Sequence, residues 1–144
     1  MLDIDGKEIE LIKNLYWNQL AAVQVEGKTS NWIYIKRGVR QGCILSPDLF
    51  SLYTEVIMQL IQEMDGFKIG GVNITNIRYA DDTVVISDSE ENLQNLMNVV
   101  VVESEKKGLL INRKKSFCLV FSKSSPVPQC HVQVNGEMLE QVAE

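Results

Sequence analysis

The sequence predicts an α+β fold, with helices packed on one face of a largely antiparallel sheet. Two observations carry that expectation. The apolar period switches repeatedly between two residues and 3.6 residues along the chain. Turn-forming dipeptides, Gly27-Lys28, Gly70-Gly71 and Asn135-Gly136, divide the short alternating runs into hairpins. The 144 residues suit one domain, and 45% apolar with 23% charged residues is an ordinary globular balance. That balance argues against disorder, a collagen-like repeat or a disulfide-rich scaffold.

Taken in order, Lys7 to Asn18 reads as a helix with Ile9, Ile12 and Tyr16 on one stripe and Asp5 or Gly6 at its start. Val23 and Val25, then Ile33 and Ile35, alternate with polar or aromatic neighbours across Gly27-Lys28, which predicts a hairpin. Arg37 to Leu45 holds two glycines and no steady period, as a loop does. Ser46-Pro47 then opens a helix running to about Met64, Ser being a good N-cap and Pro tolerating the first helical position. Its predicted core stripe is Leu49, Tyr53, Val56, Leu60, Ile61 and Met64.

Phe67 and Ile69 mirror Val72 and Ile74 across Gly70-Gly71, a second hairpin. Ile77 to Ala80 and Thr83 to Ser87 predict two strands that meet at Asp81-Asp82. Ser89 or Asp88 caps a further helix, with Leu93, Leu96, Met97 and Val100 inward, Lys106 and Lys107 in its last turn and Gly108 as its stop. Leu109–Ile111 and Phe117–Phe121 read as strands, residues 122–130 as a polar linker, and Val132 and Val134 before Asn135-Gly136 as one arm of a last hairpin.

Net charge is −5, whereas chains that grip nucleic acid unaided are usually basic. Any such grip must therefore come from local patches or from other parts of a larger protein. Cys43, Cys118 and Cys130 are an odd set with no paired spacing, and His131 is the single histidine, so a zinc site is not expected. Reduced thiols fit the nucleus or cytoplasm. Met1 to Glu10 lacks the basic start and apolar centre of a signal peptide, and no apolar run approaches the roughly 18 residues of a membrane span. The expectation is an intracellular protein without a membrane anchor.

Two segments point to chemistry. Tyr79-Ala80-Asp81-Asp82 places adjacent, mutually repelling carboxylates at the bend of an apolar hairpin, an arrangement a cation relieves. Mg²⁺ binds through one or two carboxylates plus substrate phosphates, although a solvated turn also takes aspartates. The second segment, Arg37 to Pro47, brings a glycine-bearing loop with Lys36, Arg37 and Arg40 to a helix N-terminus, where backbone N–H groups favour phosphate. Gly42 allows close approach to the backbone and Gln41 offers a two-way amide. A solvated basic loop before a capped helix is the plainer alternative.

Arg40-Gln41-Gly42-Cys43-Ile44-Leu45-Ser46-Pro47, followed by Tyr79-Ala80-Asp81-Asp82 with Asp81 forty positions after Gln41, resembles the palm of a reverse transcriptase of the non-LTR (LINE-like) retrotransposon type. Gly108 to Ser116 resembles that family's Gly-Leu-x-Ile-Asn-x-x-Lys-Ser/Thr motif, and Asn135-Gly136 with Leu139-Glu140-x-Val142 the approach to its primer grip. The resemblance implies a partial polymerase palm over residues 1–144, a ferredoxin-like antiparallel sheet with helices on one face, lacking its first strand, fingers and thumb. It implies that Asp81 and Asp82 are catalytic metal ligands for two Mg²⁺ ions, with Mn²⁺ a possible substitute. Lys115, or Lys114, acts on pyrophosphate, and Arg40, Gln41, Gly42 and Tyr79 line the nucleotide and template pocket.

The implied reaction adds deoxynucleotides to a DNA primer on an RNA template. The family's further aspartate, in a Phe-Asp-like motif, is expected before Met1, with Asp3 and Asp5 as turn and cap residues, so these residues alone are expected to be marginally stable and inactive as a polymerase. The alternatives are a non-catalytic palm remnant acting as a binding or scaffolding module and, ranked lower, another palm-like enzyme such as a nucleotidyl cyclase.

Overall fold

A computed structural model describes residues 5–143; the turn expected at Asp3 lies outside them. The chain divides into two units, Met1–Ser46 and Pro47–Glu144.

In the first unit, helix α1 (Gly6–Tyr16) starts where the sequence places it. The Asp5 carboxylate accepts the Lys7 and Glu8 N–H groups at 2.8 and 3.0 Å, and the Glu8 carboxylate accepts the Asp5 N–H at 3.1 Å. This reciprocal capping box satisfies donors that a helix start leaves orphaned. The helix stops short of Asn18, which takes a positive φ of 56°. The hairpin that follows has an outer ladder of β1 (Leu20–Ala21) with β4 (Ile33–Tyr34) and an inner ladder of β2 (Gln24–Val25) with β3 (Lys28–Thr29). Its turn is Glu26-Gly27, both at positive φ, and Lys28 is a strand residue. Two successive positive φ values match the twist of paired strands.

In the second unit, α2 (Ser46–Gln62, its first residue shared with the first unit) and α3 (Glu90–Lys106) carry the core. The buried stripe of α2 is Thr54, Ile57, Met58 and Ile61, whereas Tyr53, Val56 and Leu60 are about half exposed. This corrects the predicted stripe. The helix has two neighbouring rows of apolar residues at helical spacing, and packing against Leu96 and Val100 of α3 selects one of them. Tyr53 serves differently: its hydroxyl donates to the Lys107 carbonyl at 2.8 Å, at the C-terminal end of α3.

Asn73 closes the other helix. Its Nδ2 donates to the Gln62 and Met64 carbonyls at 3.2 and 2.8 Å, and its Oδ1 accepts the Gly66 N–H at 3.0 Å. Helix α3 is capped by Ser89, whose Oγ accepts the Asn92 N–H at 3.2 Å. It ends in a Schellman motif: Gly108 sits at φ 71°, its N–H bonds the Glu105 carbonyl, and the Leu109 N–H bonds the Ser104 carbonyl, both at 2.9 Å.

The hairpins β5 (Phe67–Ile69) with β6 (Val72–Ile74) and β10 (Gln133–Val134) with β11 (Glu137–Met138) turn at Gly70-Gly71 and Asn135-Gly136 as predicted. Between them lie β7 (Asn76–Tyr79) with β8 (Asp82–Val85), and β9 (Phe117–Leu119), which pairs in parallel with β12 (Glu140–Val142). The parallel pairing is new. Leu109–Ile111 forms no strand; Leu109 and Ile111 pack half-buried on the core and lead into a single 3-10 turn, Arg113–Lys115. Ser122 to Pro128 is exposed and without helix or strand, while Cys130 is half-buried against the core.

No continuous ferredoxin-like sheet is seen among the described residues, which form six separate two-stranded ladders. Strands of two to four residues each make one ladder, and side chains of the helices tie hairpins in. Gln94 of α3 shows how: its Oε1 accepts the Gln133 N–H at 2.7 Å and its Nε2 donates to the Gln133 carbonyl at 3.0 Å, filling the place of a strand neighbour. Two apolar clusters result, one around Ile57, Ile61 and Leu96, the other around Val101, Cys118, Val132 and Leu139. No helix among the described residues is long and apolar enough to cross a membrane.

Candidate functional site

The β7/β8 hairpin sets the carboxylates. Its register pairs Tyr79 with Asp82, Arg78 with Thr83 and Ile77 with Val84. Directly opposed residues share a face, so Ile77, Tyr79, Asp82 and Val84 lie together on the outer face, and all four are exposed. Asn76, Arg78, Thr83 and Val85 occupy the other. The turn is Ala80-Asp81, one position earlier than the Asp81-Asp82 bend predicted, and Asp82 is a strand residue. The two acids thus differ in kind: Asp81 projects from the bend, and Asp82 is fixed in the ladder beside Tyr79.

Ala80 adopts φ 52°, a left-handed conformation that is costly for a residue with a Cβ. Strain of this sort persists only where the surrounding structure imposes it. The Tyr79–Asp82 pair closes the turn, and the hairpin is held at its base and on its inner face. The Thr75 carbonyl accepts the Ile86 N–H at 2.8 Å, extending the hairpin's pairing at its base. Arg78 Nη2 donates to Glu55 Oε2 of α2 at 2.7 Å, fastening the inner face. That guanidinium holds the Glu55 carboxyl below the usual carboxylate range, against the opposing effect of desolvation. Neither aspartate enters an ion pair, and no group of three or more potential metal ligands occurs among the described residues.

Lys114 and Lys115 are exposed on the 3-10 turn. Arg113 anchors that turn: Nη2 pairs with Glu137 at 2.7 Å and Nη1 donates to the Met138 carbonyl at 3.1 Å. No hydrogen bond or ion pair joins Lys115 to Asp81 or Asp82 among the described residues. Arg113 and Arg78 are positioning groups that the sequence reading missed. An arginine at an inward strand position, flanked by apolar residues, was the available signal for Arg78.

In the first unit, Arg40, Gln41 and Gly42 form a pinned turn. The Arg40 carbonyl accepts the Cys43 N–H at 3.3 Å and the Ser46 hydroxyl at 2.6 Å, and Gly42 takes φ 80°. Ser46 therefore uses its hydroxyl to hold the preceding loop. The Tyr16 hydroxyl, from α1, donates to Cys43 Sγ at 3.3 Å and lies 3.2 Å from Ser46 Oγ. That hydroxyl is also the main cause lowering the Cys43 thiol below its ordinary pKa. Arg40, Gln41 and Gly42 remain exposed on this braced loop.

Comparison with known proteins gives these residues a context. The family model for reverse transcriptase (RNA-dependent DNA polymerase) matches residues 2–134. The chain is 28% identical over 121 residues to the retrovirus-related Pol polyprotein of a type-1 R2 retrotransposable element of Nasonia vitripennis, covering 84% of this chain and 12% of that protein. A Popillia japonica R2 polyprotein is 26% identical over 143 residues, 95% of this chain and 24% of its own length. The RNA-directed DNA polymerase from the mobile element jockey of Drosophila funebris is 28% identical over 142 residues, 94% of this chain and 15% of its own. The chain thus spans between 12% and 24% of the length of these relatives.

Proposed function

Because the chain belongs to the reverse transcriptase family, of the non-LTR retrotransposon kind, we propose that it supplies the metal-binding part of an RNA-directed DNA polymerase palm. The observation that carries this reading is the β7/β8 hairpin, which holds Asp81 at a strained bend and Asp82 beside Tyr79 on an exposed face. Both offer hard carboxylate oxygens with no competing cationic partner among the described residues, a donor set that suits Mg²⁺ and accepts Mn²⁺. Asp81 and Asp82 would hold the metal, and two such ions, when bound, stabilise the attacking and leaving oxygens of nucleotidyl transfer.

The other roles are those the family resemblance implies for these residues. Tyr79 offers an exposed ring next to Asp82 against which a nucleotide or primer end can pack. Lys115, exposed on a turn that Arg113 fixes, would meet pyrophosphate, with Lys114 as its neighbour. Arg40 meets phosphate, while Gln41 and Gly42 contact nucleotide and template. Substrates are then an RNA template, a DNA primer and deoxynucleoside triphosphates, met in the nucleus or cytoplasm. The reading treats residues 1–144 as a partial reverse transcriptase domain and 122–130 as a polar linker within it.

Two features support a palm that further strands and ligands complete. The β7/β8 ladder has no strand neighbour on either edge among the described residues, and its outer face exposes Ile77 and Val84. Two carboxylates alone also leave room for a further ligand from the longer polypeptide. The same shortage of ligands favours, as the second reading, a palm remnant that binds without catalysing.

Primer extension on an RNA template with Mg²⁺, by the full polypeptide and by its Asp81→Asn variant, separates them. Synthesis lost in the variant supports the polymerase. Nucleic-acid binding without synthesis in both proteins supports the binding module.

A further inference from the structure

Cys118 and Cys130 are brought together by three independent elements. Cys118 is the central residue of β9, locked in parallel register opposite Gln141 of β12. Gln141 then reaches the chain before β10: its Oε1 accepts the Cys130 N–H at 2.7 Å and its Nε2 donates to the Pro128 carbonyl at 3.1 Å. The apolar cluster of Val101, Val132, Val134 and Leu139 closes around Cys118, with Cys130 packed at its margin. The outcome is two free thiols, twelve residues apart in sequence, whose Sγ atoms stand 2.9 Å apart.

Packing alone does not call for this contact, since apolar side chains would fill the same space without the sulfur chemistry. We propose that Cys118 and Cys130 are a redox modification site that closes to a reversible disulfide under peroxide-class two-electron oxidants. Cys130, half-buried, is the sulfur a small oxidant reaches, whereas Cys118 is 5% exposed. Burial and the neighbouring sulfur push the Cys118 thiol up to about 12, so it waits as a thiol.

Attack of the Cys130 sulfur on hydrogen peroxide breaks the O–O bond, leaving a sulfenic acid and releasing one water. Attack of the Cys118 sulfur on that sulfenic sulfur forms the S–S bond and releases a second water, the thiol proton leaving with the departing hydroxide. Two thiols lose two electrons and two protons, and one peroxide becomes two waters. A small-molecule dithiol reverses the step by thiol–disulfide exchange. The closed bond ties β9, beside the Arg113–Lys115 turn, to the far end of the exposed 122–128 stretch.

The test uses the full chain, treated with hydrogen peroxide and digested with trypsin without reduction. The expected product joins the peptide Ser116–Lys123 to the peptide that begins at Ser124, and dithiothreitol abolishes it. Cys43 serves as the internal reference: its thiol is lowered by Tyr16, so reactivity alone favours it, whereas geometry favours the Cys118–Cys130 link. In urea the preference should vanish. Cys130→Ser should lose the link and leave Cys118 unoxidised. Sulfinic acid accumulating at Cys130 without a cross-link, links shared evenly with Cys43, or the same yield in urea would overturn the proposal.

Discussion

Arg78 of β7 donates to Glu55 of α2 at 2.7 Å, and this pair faces inward while its apolar neighbours Ile77 and Tyr79 face outward. The usual polarity of a surface hairpin is thereby inverted. An ion pair fastens the hairpin to the helix, and the apolar face is kept for the side that bears Asp82. The hairpin that carries the acids is thus positioned from its back.

Replacing Glu55 with Gln should lower stability at neutral pH by about 1 kcal/mol, a value discounted for the partial exposure of both groups. The pH dependence follows from the Arg78 hydrogen bond, which depresses the folded-state pKa of Glu55. Stability from a depressed carboxyl is fully present above its unfolded pKa and is lost as pH falls through the folded value. The difference between wild type and Glu55→Gln in urea denaturation should therefore persist at pH 7 and shrink below about pH 4. A difference that stayed constant down to pH 2 would show that the pair contributes no charge-dependent stability.

Ala80 gives the second expectation. Its positive φ costs about 1–2 kcal/mol relative to a residue without a Cβ, partly offset by the greater freedom of an unfolded glycine. Ala80→Gly should raise stability by roughly 0.5–1 kcal/mol, moving the denaturation midpoint without changing its slope. A destabilised Ala80→Gly protein would mean that the bend is not held in the left-handed region.

Gly66 is required for a different reason, close approach. A Cβ there would run into the Ile74 backbone carbonyl and the Thr75 methyl, in the segment where Asn73 fastens the end of α2. Because backbone cannot swing aside as a flexible side chain can, Gly66→Ala should cost more than about 2 kcal/mol. Thermal denaturation checks it, and a melting temperature within a degree of wild type would contradict the close approach.

These positions also show what a linear reading captures. Asp5, Ser89 and Gly108 are caps whose chemistry is local, and Gly70-Gly71 and Asn135-Gly136 are turns set by backbone sterics, so all are legible. The buried row of α2 is not, because two adjacent rows have the same period and only α3 decides between them. The parallel ladder of β9 with β12 joins segments separated by the 122–128 stretch and the whole β10/β11 hairpin, and nothing local announces it. At the site, the Asp81-Asp82 pair and its turn-forming context stand out in the sequence. Their different structural settings depend on the turn being Ala80-Asp81, a register fixed by the Tyr79–Asp82 pairing.

That division leads to the last expectation. Asp82 is a strand residue directly opposite Tyr79, so Asp82→Asn keeps shape and backbone pairing while removing one carboxylate. Asp81, on the bend, has no strand partner, so Asp81→Asn should leave stability within about 0.5 kcal/mol of wild type. If both acids hold metal, each variant of the full polypeptide should lose at least about 100-fold in Mg²⁺-dependent primer extension, as losing a preorganised electrostatic partner does. Each should also bind Mn²⁺ more weakly in calorimetric titration. The two readouts separate causes. Weaker metal binding with an unchanged melting curve places the loss at the ligand, whereas an equal fall in melting temperature traces it to the hairpin. An Asp81→Asn protein with wild-type Mn²⁺ affinity would remove Asp81 from the ligand set.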